Sequence, residues 1–297
     1  MKNIFKTLMI VVLVTILTTV VFADQKRDYN AVMVGIDDYP AVDSAIIWGN
    51  YNLRYCTSDV NDMNQALQYS KLWNNGLINY ANTNDFAGNY NIYTTMKQTA
   101  QNTNKNGTFL FYFSGFGSND GKLPFLVPWD GLMDSNNLIS PYDLSDWLNL
   151  FDPSVHKIVI IDACFSGMMY DADCNYVVNL NERDKFVPVS NWTNYDYNIP
   201  GFEYVLAKIP NTTVLMACSP KEECQESKML QNGVFTFYIV QGLGMGRNIG
   251  EADQNKNGSI TASELFSYVT AKVSQHTKLD HPQLISNDID VVIKSNN

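Results

Sequence analysis

Lys157-Ile-Val-Ile-Ile161, running directly into Asp162-Ala-Cys-Phe-Ser-Gly167, is the stretch whose reading decides the fold. Four consecutive aliphatic residues, three of them Ile, read as a strand buried on both faces, as in parallel sheets covered by helices. The run ends in a small-residue turn with Cys164 at its carboxyl end, the edge at which sites in open α/β sheets gather. Cys164 also has a plainer reading, because free cysteine is among the most buried residue types and often only fills space.

Working outward, Thr108-Phe-Leu-Phe-Tyr-Phe113 is a second strongly apolar strand, and it stops at Ser114-Gly115-Phe116-Gly117, a turn that would bring its tip beside Cys164. Asn30 to Ile36 reads as a buried strand followed by the loop Asp37-Asp38-Tyr39-Pro40. Ser58 to Leu72 reads as a helix, with Ser58-Asp59 as cap-type residues and Val60, Met63, Leu67 and Leu72 as a buried stripe. Further helices are expected over Asn91 to Gln101, Pro141 to Phe151 and Val234 to Leu243, and further strands over Leu123 to Trp129 and Val214 to Ala217. Strands alternating with helices predict an α/β domain, a mostly parallel sheet with helices on both faces. Met168 to Pro210 loses periodicity and fills with Asn, Asp, Tyr and Pro, which marks a long excursion between two strands.

With 297 residues, 45% hydrophobic and 12% aromatic, the chain has enough apolar surface for one large domain. Met1 to Ala23 has Lys2 and Lys6 ahead of an apolar run, and Val21-Phe22-Ala23 has small residues where signal peptidase needs them. The expectation is an exported protein, secreted or periplasmic, cut after Ala23, with 24–297 as the mature domain and no membrane partner after cleavage. Removing those two lysines from the 20 basic residues leaves 18 against 30 acidic ones, a formal charge of −12. That balance argues against nucleic acid or anionic membrane as partner, but not against cationic peptides or calcium. Five cysteines are few and odd in number for an exported chain, so disulfides do not carry this fold. Cys218 and Cys224 flank a Ser219-Pro220 turn and are a candidate pair.

The two strand tips carry a resemblance. Phe111-Tyr-Phe-Ser-Gly-Phe-Gly117 and Asp162-Ala-Cys-Phe-Ser-Gly167 resemble the active-site strands of caspases, metacaspases and their bacterial relatives in the clostripain and gingipain clan, which read approximately Phe-Tyr-Ser-Gly-His-Gly and Asp-x-Cys-x-Ser-Gly. Ala31 to Tyr39, Asn232 to Phe237 and Gly242-Leu-Gly244 extend the likeness over nearly the whole mature chain. The resemblance implies a caspase-like three-layer α/β/α sandwich and a cysteine endopeptidase with Cys164 as nucleophile and no cofactor required for the chemistry. It also implies that the residue that withdraws and returns the proton should be a histidine, and here that place is held by Phe116. A phenyl ring neither accepts nor donates a proton, so the thiol is expected near its free value of ~8.5 and peptide cleavage lost or strongly impaired.

By the same resemblance, the pocket for the residue before the scissile bond would be formed by Asp162 and Asp59 with Cys56 and Ser114 along its sides. Paired carboxylates select Arg or Lys. Alternatives stay open: Asp59 as a charge on a helix dipole, Asp162 as a solvated strand end. The expected picture places the thiol and the benzyl group at one acidic cleft. Arg183 and Lys185 in the long excursion are candidate self-cleavage sites by resemblance.

Asp253-Gln-Asn-Lys-Asn-Gly-Ser-Ile-Thr-Ala-Ser-Glu264 fits the twelve-position EF-hand loop, with Asp253, Asn255, Asn257, Ser259 and Glu264 as calcium ligands and Gly258 at the sharp turn. A metal-free turn and helix cap uses the same residues. Three functions are therefore weighed: an impaired peptidase homologue that binds basic peptides or pairs with an active relative as decoy or regulator; an active cysteine endopeptidase with another base; and a calcium-dependent binding or structural protein on this scaffold.

Overall fold

A computed structural model describes residues 27–40, 53–73, 77–119, 123–163, 201–218, 224–277, 280–287 and 290–297. The leader, Cys164, Cys174, Arg183 and Lys185 lie outside the described residues.

Six strands form the central sheet: β1 (Arg27–Gly35), β2 (Leu77–Thr83), β3 (Thr103–Ser114), β6 (His156–Asp162), β7 (Thr212–Met216) and β11 (Gln283–Ser286), in the order β11-β7-β6-β3-β1-β2. All neighbours pair in parallel except β11, which runs antiparallel to β7 at one edge. Side chains on a strand alternate between faces, so the sheet splits the core in two. Val32, Val34, Phe109, Phe111, Phe113, Val159 and Ile161 face helices α2 (Asn89–Gln101), α3 (Pro141–Leu148) and α4 (Phe202–Leu206). Ala31, Met33, Leu110, Tyr112, Ile158 and Ile160 face helices α1 (Cys56–Gln68), α5 (Val234–Leu243) and α6 (Ala262–His276). The expected helix–sheet–helix layering is what forms.

Several local expectations shift. The first helix begins at Cys56 and stops at Gln68, before Leu72, and Ser58-Asp59 does not cap it; Asp37 from the β1 loop accepts from the backbone nitrogens of Cys56 (2.6 Å) and Thr57 (3.2 Å) instead. Of Leu123 to Trp129 only β5 (Pro124–Leu126) is strand, and it pairs with β4 (Gly117–Asn119) outside the central sheet. β2 and β11 were not expected. Leu-Ile-Asn-Tyr-Ala-Asn-Thr of β2 is an edge strand with polar residues along it, and β11 is four residues long, so neither carries the apolar run that marks a buried strand. The end of the long excursion is the buried helix α4, with Phe202 and Leu206 in the core; 168–200 lies outside the described residues.

Gly35 sets how closely the α1 layer approaches. A Cβ there would sit 2.4 Å from the Cys56 carbonyl oxygen and 2.7 Å from a Val60 methyl, so the missing side chain lets the start of α1 rest on the end of β1. Among the described residues no helix is long and apolar enough to cross a membrane.

Candidate functional site

At the carboxyl edge of the sheet, Gly35, Ser114 and Asp162 lie side by side in register across β1, β3 and β6. Period-2 alternation points Ser114 and Asp162 to the same face as Tyr112 and Ile160, toward α1 and α5. Asp59, on the first turn of α1, points down onto this row. The Ser114 hydroxyl donates to Asp59 Oδ2 at 2.8 Å, and Asp59 Oδ1 accepts from Asn232 Nδ2 at 2.9 Å and from the Gly233 amide at 3.0 Å. Asp162 Oδ2 accepts from the Thr236 hydroxyl at 2.8 Å and its amide at 3.3 Å, and Tyr112 Oη meets Thr236 Oγ1 at 2.6 Å. A Cβ on Gly233 would lie 2.4 Å from Asp162 Oδ2 and 3.2 Å from Asp59 Oδ2. The two carboxylates therefore converge on one bare backbone position between β9 (Asn232–Gly233) and α5.

Both carboxyls are withdrawn from solvent, Asp59 fully and Asp162 to 6% exposure. Burial raises Asp59 well above the ordinary carboxylate range, and the charge of Asp162 raises it further. Burial likewise pushes Asp162 up to about 6. Asp162 is thus no solvated strand end, and Asp59 spends its oxygens on neighbouring segments rather than on the amides of its own helix.

Cys56, 3% exposed, stands beside this pair, its thiol pushed up by burial and by the negative charges of Glu226 and Asp59. Glu226, on β8 (Glu226–Ser227), accepts from the backbone nitrogens of Arg54 and Tyr55 and lies 3.7 Å from Cys56 Sγ. Donor atoms of Asp37, Cys56 and Glu226 fall within 4.8 Å of one another. The bonds of both carboxylates to the amides around the start of α1 account for this cluster as a helix cap. The four expected pocket residues, Asp59, Asp162, Ser114 and Cys56, are thus brought together. Tyr112, Asn232, Glu226 and Thr236 join them without having been singled out. Tyr112 precedes Ser114 by two and must share its face; Asn232 and Thr236 lie in the Asn232 to Phe237 stretch that carries the resemblance, which was a signal for them, while Glu226 arrives from a distant segment with no local pattern to mark it.

Phe116 goes elsewhere. Its ring is 8% exposed and packs with the opposite core, against Tyr39 at a centroid distance of 4.5 Å. The Tyr39 hydroxyl accepts from the Phe116 amide at 2.9 Å and donates to the Val127 carbonyl at 3.0 Å. The benzyl group thus packs in the core layer on the other face of the sheet from the carboxylates, contrary to the expectation that it shares one acidic cleft with the thiol. The strand tips themselves do meet, with the Gly115 amide donating to the Asp162 carbonyl at 3.3 Å. The described chain stops at Ala163, whose covalent neighbour is Cys164. Cys218 and Cys224 form a disulfide, and the Cys224 sulfur lies 3.1 Å from the Ala163 carbonyl oxygen. The three histidines are placed differently: His156 opens β6 at its amino end, about 20 Å from Asp162 at ~3.3 Å per residue; His276 closes α6 with its Nδ1 3.3 Å from Tyr238 Oη; and the exposed His281 stands two residues ahead of Gln283, which pairs with Met216 at the carboxyl edge, two strands across the sheet from β6.

In the Asp253 to Glu264 loop the side chains close on themselves: Asp253 accepts from the amides of Asn257 (3.0 Å) and Gly258 (2.9 Å), Asn257 from that of Ser259 (2.8 Å), and Glu264 Oε1 from Asn255 Nδ2 (2.6 Å).

The family model described as Caspase domain matches residues 29–292. Among solved structures, the chain is similar to the crystal structure of a protein from Geobacter sulfurreducens, with 15% sequence identity and a TM-score of 0.60 over 89% of this chain and 97% of that one, a likeness of fold. None of the curated proteins matches it by sequence.

Proposed function

The chain belongs to the caspase-domain family, and from that premise we propose that it binds peptides or proteins through an arginine or lysine side chain while its cysteine-peptidase activity is lost or strongly reduced. The observation that carries the first half is the Asp59–Asp162 pair: two buried carboxyls, each raised by burial, converging on the bare backbone of Gly233. Such a pair costs stability when both members ionise, and a guanidinium or ammonium relieves that cost by replacing the retained proton with a fixed cation. Arg offers the planar fork that two carboxylates match best.

Phe116 supports the second half. Nucleophilic attack by Cys164 needs a base to remove the thiol proton and an acid to protonate the departing amine. The Phe116 ring supplies neither, and it is fixed by the Tyr39 stack in an apolar layer. Losing one member of a nucleophile and base pair reduces turnover by on the order of 10³ or more. The leader sequence supports export, and the acidic charge supports basic peptide ligands over nucleic acid.

The test is a pair of measurements on the mature chain with Arg and Lys peptides bearing a fluorescent leaving group, beside Cys164→Ala and Phe116→His. Binding without turnover is expected, with cleavage gained in Phe116→His. Cleavage by the unmodified chain that vanishes in Cys164→Ala would defeat the pseudoenzyme half. Equal affinity for Arg, Lys and Asp peptides would defeat the pocket.

A further inference from the structure

We propose that the loop from Asp253 to Glu264 binds one calcium ion through the side-chain oxygens of Asp253, Asn255 and Asn257, the carbonyl of Ser259 and both carboxylate oxygens of Glu264. Position by position the loop meets the EF-hand requirement, with oxygen donors at one, three and five, glycine at six, an aliphatic residue at eight and glutamate at twelve. Gly258 takes φ +80° at the sharp turn, where its lack of a side chain is needed, and Ser259–Thr261 then forms a short strand, β10, before α6 begins. Glu264 sits in the first turn of α6 and reaches back over the loop to Asn255, bringing position twelve onto position three.

A metal-free helix cap explains part of this, and the structure separates that part out. Thr261 and Glu264 complete a capping box by themselves: Thr261 Oγ1 accepts from the Glu264 amide at 3.3 Å, and Glu264 Oε2 accepts from the Thr261 amide at 3.1 Å. That leaves Glu264 Oε1, Asp253, Asn255 and Asn257 unexplained by capping. Neither Asp253 nor Glu264 forms an ion pair with a basic side chain among the described residues. Their two negative charges are met only by neutral donors, the amides of Asn257, Gly258 and Thr261 and the Asn255 side-chain amide, so the opposite charge they lack is what a hard divalent cation would supply.

The ion would brace more than its own loop. β10 pairs antiparallel with β12 (Val292–Ser295), matching Ile260 to Lys294. The buried Lys294 ammonium donates to the carbonyls of Gly244 (2.6 Å) and Gly246 (3.1 Å), just past the end of α5, whose first turn holds Thr236 against Asp162. With only two charged ligands, affinity falls with the weaker extracellular calcium modules, ~10⁻⁴–10⁻³ M.

Calcium titration of the metal-stripped mature chain, by calorimetry and thermal melting with magnesium as control, tests the site. Binding in that range is expected, with Tm rising by about 3–6 °C at ten times the dissociation constant. Glu264→Gln keeps the capping box, for which glutamine serves equally, but loses the bidentate charge. Its calcium-free Tm should match that of the unmodified chain while its calcium affinity falls at least tenfold. Calcium that produces neither heat nor a Tm shift in the unmodified chain up to about 10 mM overturns the site, as does equal binding by Glu264→Gln. The readout does not depend on peptide binding, so its failure leaves the Asp59–Asp162 pocket standing.

Discussion

The two faces of the sheet end in opposite chemistry at the same edge. Toward α1 and α5 the last residues of adjacent strands are Gly35, Ser114 and Asp162, roofed by Asp59; toward α2 and α3 the residues just before them, in the same register, are Val34, Phe113 and Ile161, extended by Phe116 and Tyr39. The first face buries charge, which destabilises a fold unless a ligand uses it. The second buries aromatic surface, which stabilises outright. The Phe116 ring simply lengthens an apolar layer that was already there and packs well within it. The carboxylate pair bridges α1, β3, β6, β9 and α5 by hydrogen bonds but buries charge in doing so, and under the proposed function recognition belongs to that face and packing to the other.

The largest effect should come from the charged face. Asp59→Asn, which keeps acceptor and donor groups for Ser114, Asn232 and Gly233, should weaken binding of an Arg peptide by about 100-fold or more, as truncating one partner of a buried charge contact does. In the unmodified chain the same affinity should fall as pH drops from 7.5 to 5, because protons compete with the cation once the pair, with Asp162 at about 6, takes them up. Titration by fluorescence anisotropy checks both. A pH-independent affinity would break the assignment of recognition to this face.

Next is the apolar face. Phe116→Ala should cost about 3 kcal/mol in denaturant unfolding, since the ring is almost wholly buried against Tyr39, while Arg-peptide affinity stays within about twofold. A parallel loss of affinity would show that the two faces are not separable.

The smallest effect has the opposite sign. Asp162 titrates near 6 in the fold and near ~3.9 unfolded. Its raised value favours folding below the unfolded pKa, and that advantage is lost as pH rises through about 6. Asp162→Asn should therefore stabilise the ligand-free chain at pH 8 by about 1–2 kcal/mol, visible as a Tm gain of a few degrees, and leave it unchanged near pH 4. Equal gains at both pH values would point to packing instead of charge.

Much of this was legible in the sequence. The uninterrupted apolar runs of β3 and β6 and the exact span of α5 announced the layered sheet, because buried parallel strands have no polar positions to confuse the pattern. Asp59, Asp162, Ser114 and Cys56 were reached through resemblance and then brought together by register and helix placement. What escaped was nonlocal. Thr236, Asn232 and Glu226 come to the carboxylates from segments more than sixty residues away from Asp162, and the inward turn of Phe116 follows from the Tyr39 hydroxyl bridging its amide to Val127. The edge strands β2 and β11 lacked the uninterrupted run on which the reading relied.

The Cys218–Cys224 bridge touches the carbonyl of Ala163, immediately before Cys164, and holds the end of β7 to the segment that delivers Glu226 and Asn232. Dithiothreitol, customary in assay buffers for thiol hydrolases, would unclip that covalent staple at the same time as it keeps Cys164 reduced. For this molecule the choice of buffer additive is a choice between two differently tethered proteins.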